Sequence, residues 1–127
     1  MNSEKLLTTL KQNTILFIQS LRNHVFSRHS DASGELLLVE VYFSGMPDEK
    51  LMQHMLKHLL PHKKQIVSRN VKFFLKNRGI FSGLEEDRID FYAKHISDGH
   101  LDEDTMSTIW EYFDTFLALV EAYKKKK

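Results

Sequence analysis

The stretch Glu35-Leu36-Leu37-Leu38-Val39-Glu40-Val41-Tyr42-Phe43 decides the fold class. Its β-branched and aromatic side chains suit a strand. A strand needs a neighbour to pair with, and no other segment of the chain reads as one. Residues 35–43 are therefore expected to form a short buried helix, and the chain an all-α protein. The alternative is a strand paired across a dimer.

The segments on either side have helical spacing. Upstream, Leu6, Leu7, Leu10, Leu16 or Phe17, Leu21, Val25 and Phe26 recur at helical spacing, which predicts a helix over about residues 3–27 with Ser3 as its N-cap. Residues 28–34 (RHSDASG) read as a loop. Downstream, Gly45-Met46-Pro47 breaks the chain before a helix opened by Asp48, with Leu51, Met52, Met55, Leu56, Leu59 and Leu60 on its apolar side. Pro61 ends or kinks that helix and suits the first turn of another, expected to run to about Asn77 and stop at Gly79. Residues 80–84 form a connection. A helix over residues 85–96 ends near Gly99, and Asp102 starts the last one. There Met106, Ile109, Trp110, Phe113, Phe116, Leu117, Val120 and Tyr123 make a continuous apolar stripe central to the core. The expected architecture is a compact bundle of about five to six helices. Residues 1–123 form a single domain and residues 124–127 a lysine tail.

The composition supports this. The chain has 127 residues, 42% apolar and 11% aromatic, enough to build one core. It has no cysteine, which removes disulfides, thiolate metal sites and a thiol nucleophile, and fits a reducing, intracellular setting. No stretch is apolar enough to span a membrane, and the N-terminal residues do not read as a secretory signal. Net charge is +1 but strongly segregated. Residues 50–84 hold eight basic groups and no acid, whereas residues 85–123 hold eleven acidic and two basic groups. Such blocks bear on partners rather than on fold.

Residues 60–66 (LPHKKQI), 69–75 (RNVKFFL), the acidic Leu101-Asp102-Glu103-Asp104 leading into Ile109-Trp110-Glu111-Tyr112-Phe113, and the closing Leu119-Val120-Glu121-Ala122-Tyr123 resemble a family of small helical proteins of nucleocytoplasmic large DNA viruses of algae and protists. The resemblance covers mainly residues 60–123. That family has no assigned activity, so the resemblance implies context alone: an infected host cell, in its cytoplasm or in the virion.

Several constellations suggest chemistry. His54, His58 and His62 recur every four residues, and histidines at that spacing can share a zinc ion, which makes His54 and His58 the metal candidates. A zinc-protease helix needs glutamate at position 55, where methionine stands. A polar face is the plainer reading, and no metal or cofactor is expected. Residues 97–104 are acidic, but a calcium loop starting at Asp98 needs glycine at 103 and glutamate at 109, where Glu103 and Ile109 stand. Glu85, Glu86, Asp87 and Asp90 read as dipole partners at a helix start. No nucleophile elbow or phosphate-binding glycine loop occurs, so no enzyme is expected.

The basic block carries the partner hypotheses. Arg69, Lys72 and Lys76 at i, i+3 and i+7 would share one helix face, extended by Lys63, Lys64 and Arg78. That stripe could follow a phosphate backbone without sequence preference, as in a nucleic-acid-binding accessory protein. Nine phenylalanines exceed what a small bundle needs, which suggests that Tyr42, Phe43 and Phe81 are exposed at an interface. The leading expectation is a non-enzymatic viral adaptor or virion-associated protein acting by protein–protein contact, with itself as partner in a homodimer whose basic and acidic faces meet.

Overall fold

The computed structural model describes residues 2–28, 30–76, 84–99 and 101–126. Every regular element among them is helical, and residues 35–43 are helix, not strand. In order these are α1 (Ser3–Ser20), a π turn (Leu21–Val25), α2 (Ser30–Ser44), α3 (Asp48–Leu59), a 3-10 turn (Leu60–His62), α4 (Lys63–Val67), α5 (Lys72–Lys76), α6 (Glu86–Ser97) and α7 (Glu103–Lys126). No helix among the described residues is long and apolar enough to cross a membrane.

The first N-cap is Asn2 rather than Ser3. Its side-chain oxygen accepts the Lys5 amide proton at 2.8 Å, so the helix begins at Ser3, one residue earlier than a Ser3 cap would place it. The π turn follows, where the Phe26 amide donates to the Leu21 carbonyl at 2.8 Å, five residues back. It delivers Phe26, fully buried, to α6, with ring centroids 4.8 Å from both Tyr92 and His95.

The loop expected over residues 28–34 is displaced, because α2 begins at Ser30. The Ser-Asp-Ser-Gly composition resembles a turn, but Ala32, Leu36, Val39 and Phe43 are all buried and are spaced four, three and four residues apart. Burying Ala32 extends that stripe by one turn and outweighs the poor propensities.

The largest correction lies after Pro61. The helix expected to reach Asn77 instead stops at Val67 and restarts at Lys72. Arg69 sits in the left-handed region with φ +59°. The Asn70 amide donates to Gln65 O at 2.9 Å and the Arg69 amide to Ile66 O at 3.2 Å, a Schellman stop with arginine where glycine is usual. The Asn70 side-chain oxygen then accepts the Lys72 amide proton at 3.1 Å, so Asn70 ends one helix and starts the next.

The core lies between α1 and α7, with α2 and α3 on α1, α3 and α4 on α7, and α5 on α6. Phe113 is at its centre. Its ring centroid lies 5.3–5.6 Å from those of Phe17, Phe73, Phe74 and Phe116, all edge to face. Thr14, buried on α1, donates its hydroxyl to Leu10 O at 2.8 Å, so that polar group is satisfied.

Asp102 caps α7 as expected, accepting the Thr105 amide proton at 2.7 Å. That hydrogen bond holds its carboxyl below the usual aspartate range. A capping carboxylate of this kind stabilises the folded state above the ordinary aspartate pKa, and the contribution fades as pH falls through the lowered value. Asp102→Ala should therefore lower the melting temperature at neutral pH, with the difference from wild type closing in strong acid. A gap unchanged by acid would show that the ionised cap is not its cause.

Candidate functional site

The basic stripe does not survive the break at Arg69. Arg69 turns onto α7, where its two terminal nitrogens each donate to one Asp114 carboxylate oxygen at 2.7 Å and its guanidinium lies 5.7 Å from the Trp110 ring centre. The Asp114 hydrogen bond raises the Arg69 pKa. Lys63 is bonded to Glu121 at 3.0 Å. Lys64 and Lys72 are exposed, the latter on α5. Lys76 closes α5, and Arg78 and Phe81 lie outside the described residues. A helix face shared by Arg69, Lys72 and Lys76 is thus absent, because the i, i+3, i+7 count assumed an unbroken helix.

The charge blocks partly cancel within the chain. Arg69–Asp114 and Lys63–Glu121 join the two blocks, while outside them Lys11 pairs with Asp48 at 2.7 Å and Arg22 with Glu40 at 3.2 Å. Arg88 clasps Glu35, donating from Nε at 2.7 Å and from Nη2 to the other oxygen. Tyr92 OH donates to that second Glu35 oxygen at 3.0 Å. The Arg88 hydrogen bond, more than its charge, holds the Glu35 carboxyl below its ordinary value, against the effect of desolvation. Burial, helped by the Glu35 bond, pushes the Tyr92 phenol up.

His54 and His58 face one another with ring centroids 4.4 Å apart, and His54 also lies against Phe43 at 5.6 Å. Among the described residues no group of three or more histidine, aspartate or glutamate side chains is placed to hold a metal ion.

Of the three interface candidates, Phe81 lies outside the described residues and the other two part ways. Tyr42 is exposed, but Phe43 is buried in the core. Phe17, Phe26, Phe73, Phe74, Phe113 and Phe116 are buried with it, so the phenylalanine surplus fills the interior. The apolar surface is aliphatic instead. On α2, Leu37, Leu38 and Val41 stand beside Tyr42 at one, three and one residue spacing, with Leu38 63% and Val41 59% exposed. Sequence reasoning missed this face because an apolar run gives no sign of which side is covered. Its signal was the near-absence of charge: from residue 33 to residue 47 only Glu35 and Glu40 are ionisable as acids or bases with a formal charge, and each is held by an arginine of the same chain.

A second surface gathers at the far end of the bundle. Hollows around the 3-10 turn bring Lys57 of α3, Lys63 and Lys64 of α4, and Lys124 and Lys125 of α7 to a common rim. The lysine run at the C-terminus is helical through Lys126, which fixes Lys124 and Lys125 beside α3 and α4. Compared with protein-family models, with curated proteins and with solved structures, the chain matches none.

Proposed function

We propose that this chain is a non-enzymatic helical protein that acts by protein–protein contact, with a second copy of itself as the partner that the outer face of α2 fits best. The observation that carries this reading is the exposed stripe Leu37, Leu38, Val41 and Tyr42 on a helix whose flanking carboxylates are already neutralised by Arg22 and Arg88. A face without unpaired charge can meet its own copy across a two-fold axis with no like charges opposed. An antiparallel α2 pair would also oppose its helix dipoles favourably.

The four side chains expose on the order of 400 Å² per copy, about half of the roughly 800 Å² per partner of a standard interface. The rest must come from neighbouring residues, so the dimer is expected to be weak and to exchange. Its driving force is apolar burial, so it should persist in salt, unlike an assembly of acidic on basic faces. The resemblance to proteins of nucleocytoplasmic large DNA viruses supports a place in the infected cell's cytoplasm or in the virion.

The experiment is analytical ultracentrifugation over a wide concentration range at low and high salt. A concentration-dependent dimer is expected at both. Leu38→Glu combined with Val41→Glu should yield a monomer with its melting temperature little changed, since both side chains are exposed. A wild type that stays monomeric at the highest concentration, or a double variant that still dimerises, would sink the reading.

A further inference from the structure

The geometry points to a second docking site: we propose that the lysine-rimmed corner around Leu60 and Pro61 receives an acidic peptide segment that also carries apolar side chains. Three adjoining hollows meet at Leu60. Their floor is apolar, built from Leu56, Leu60, Pro61 and Val67, with Val67 61% exposed. Lys57, Lys63, Lys64, Lys124 and Lys125 form the rim. The one carboxylate there, Glu121, is bonded to Lys63. Among the described residues, Lys57, Lys64, Lys124 and Lys125 make no salt bridge and are exposed.

Three distant parts of the chain converge to make this corner. α3 ends there, Pro61 turns the chain through the 3-10 turn into α4, and the last turns of α7 cross it. The positive charge is therefore held by packed helices rather than carried on a loose tail, which concentrates its field over the groove. Lysines in the last turn of α7 also offset the negative end of that long helix, so the corner as a whole is cationic.

The floor selects among anionic partners. A duplex backbone calls for a stripe of cations along a groove, and the stripe is broken at Arg69. A single strand calls for aromatic platforms, and no phenylalanine, tyrosine or tryptophan lines these hollows. The rim holds lysine and no arginine, which forgoes bidentate phosphate recognition. A partner with carboxylates at its edges and leucine-like side chains between them satisfies both rim and floor. This site shares no residue with the α2 face and does not depend on self-association.

Fluorescence anisotropy with a labelled peptide of repeating Glu-Glu-Leu tests it, beside polyglutamate of the same length, a random-sequence DNA duplex and vesicles containing phosphatidylserine. The Glu-Glu-Leu peptide should bind, lose affinity as salt rises, and weaken by at least about tenfold when Lys57, Lys64 and Lys124 are changed together to glutamate. Val67→Ser, which leaves the charge untouched, should weaken the Glu-Glu-Leu peptide several-fold and polyglutamate not at all. No binding of the Glu-Glu-Leu peptide overturns the proposal. So does equal binding of polyglutamate, which would show that the floor is unused. Tighter binding of duplex or vesicles, lost in the triple variant, would likewise overturn it in favour of a phosphate-facing surface.

Discussion

Phe113→Ala is expected to cost about 3–5 kcal/mol of folding stability, the range for emptying a packed aromatic site. Phe113 is fully buried, with Phe17, Phe73, Phe74 and Phe116 around it at centroid distances of 5.3–5.6 Å. These neighbours come from α1, α5 and α7 itself, so no single element can move to fill the space. The loss combines the apolar transfer of the ring, its edge-to-face contacts and the residual cavity. Against a total stability of roughly 5–15 kcal/mol, that is a large share. Urea titration should show the midpoint falling steeply with the slope of the transition preserved. Phe113→Leu, which keeps much of the volume, should lose clearly less. A loss under about 1 kcal/mol for the alanine variant would mean that Phe113 is not the keystone of this core.

The second large effect is expected at Glu35. Its carboxylate accepts two bonds from Arg88 and one from Tyr92, joining α2 to α6. Tyr92 has no exposed surface, so Glu35→Ala removes an acceptor from a buried hydroxyl, at a cost of about 1–3 kcal/mol. Glu35→Gln, which keeps an acceptor without the charge, should cost less. The pH dependence follows from the shifts. Glu35 has a lowered pKa in the folded state, so the unfolded chain takes up its proton first as pH falls. The stabilisation is present above the ordinary glutamate value and is lost as pH drops through the lowered one. Tyr92 is shifted the other way, so folded protein keeps the phenol proton longer, and stability falls as pH rises above about 10. Thermal melts of wild type and Glu35→Ala across pH should draw together in acid. Parallel curves over that range would show that ionised Glu35 contributes nothing.

The parts of the fold that were legible are those set by periodicity and by strong breakers. α7 could be read from its apolar stripe and from Asp102, and α3 from Pro47, Asp48 and the Leu/Met spacing. The helical state of residues 35–43 followed from the want of a pairing partner. What failed was anything that depends on which neighbour covers which side. Residues 35–43 carry apolar groups all round, so only tertiary packing divides Leu36, Val39 and Phe43 inside from Leu37, Leu38 and Val41 outside. The stop at Arg69 was hidden for a different reason. Helix ends are usually flagged by glycine, and here an arginine takes the left-handed position, held by Asp114 forty-five residues away. Asn70 was the one local sign. The basic corner around Leu60 was equally beyond local reading, because Lys57 and Lys124 meet only once α3 and α7 are packed.

The π turn after α1 has a consequence for how this chain tolerates changes in length. Its Phe26-to-Leu21 bond spans five residues instead of four, so the turn holds one residue more than a regular helix would use. Deleting exposed Asn23 would let the backbone relax into ordinary helical geometry, in which four residues close the turn that five close now, so Phe26 should stay directed at Tyr92 and His95. The extra residue is therefore slack taken up within one turn. At this junction a one-residue deletion should disturb the packing on α6 less than it would inside a regular helix, and homologous chains can keep the Phe26 contact while differing here by one residue.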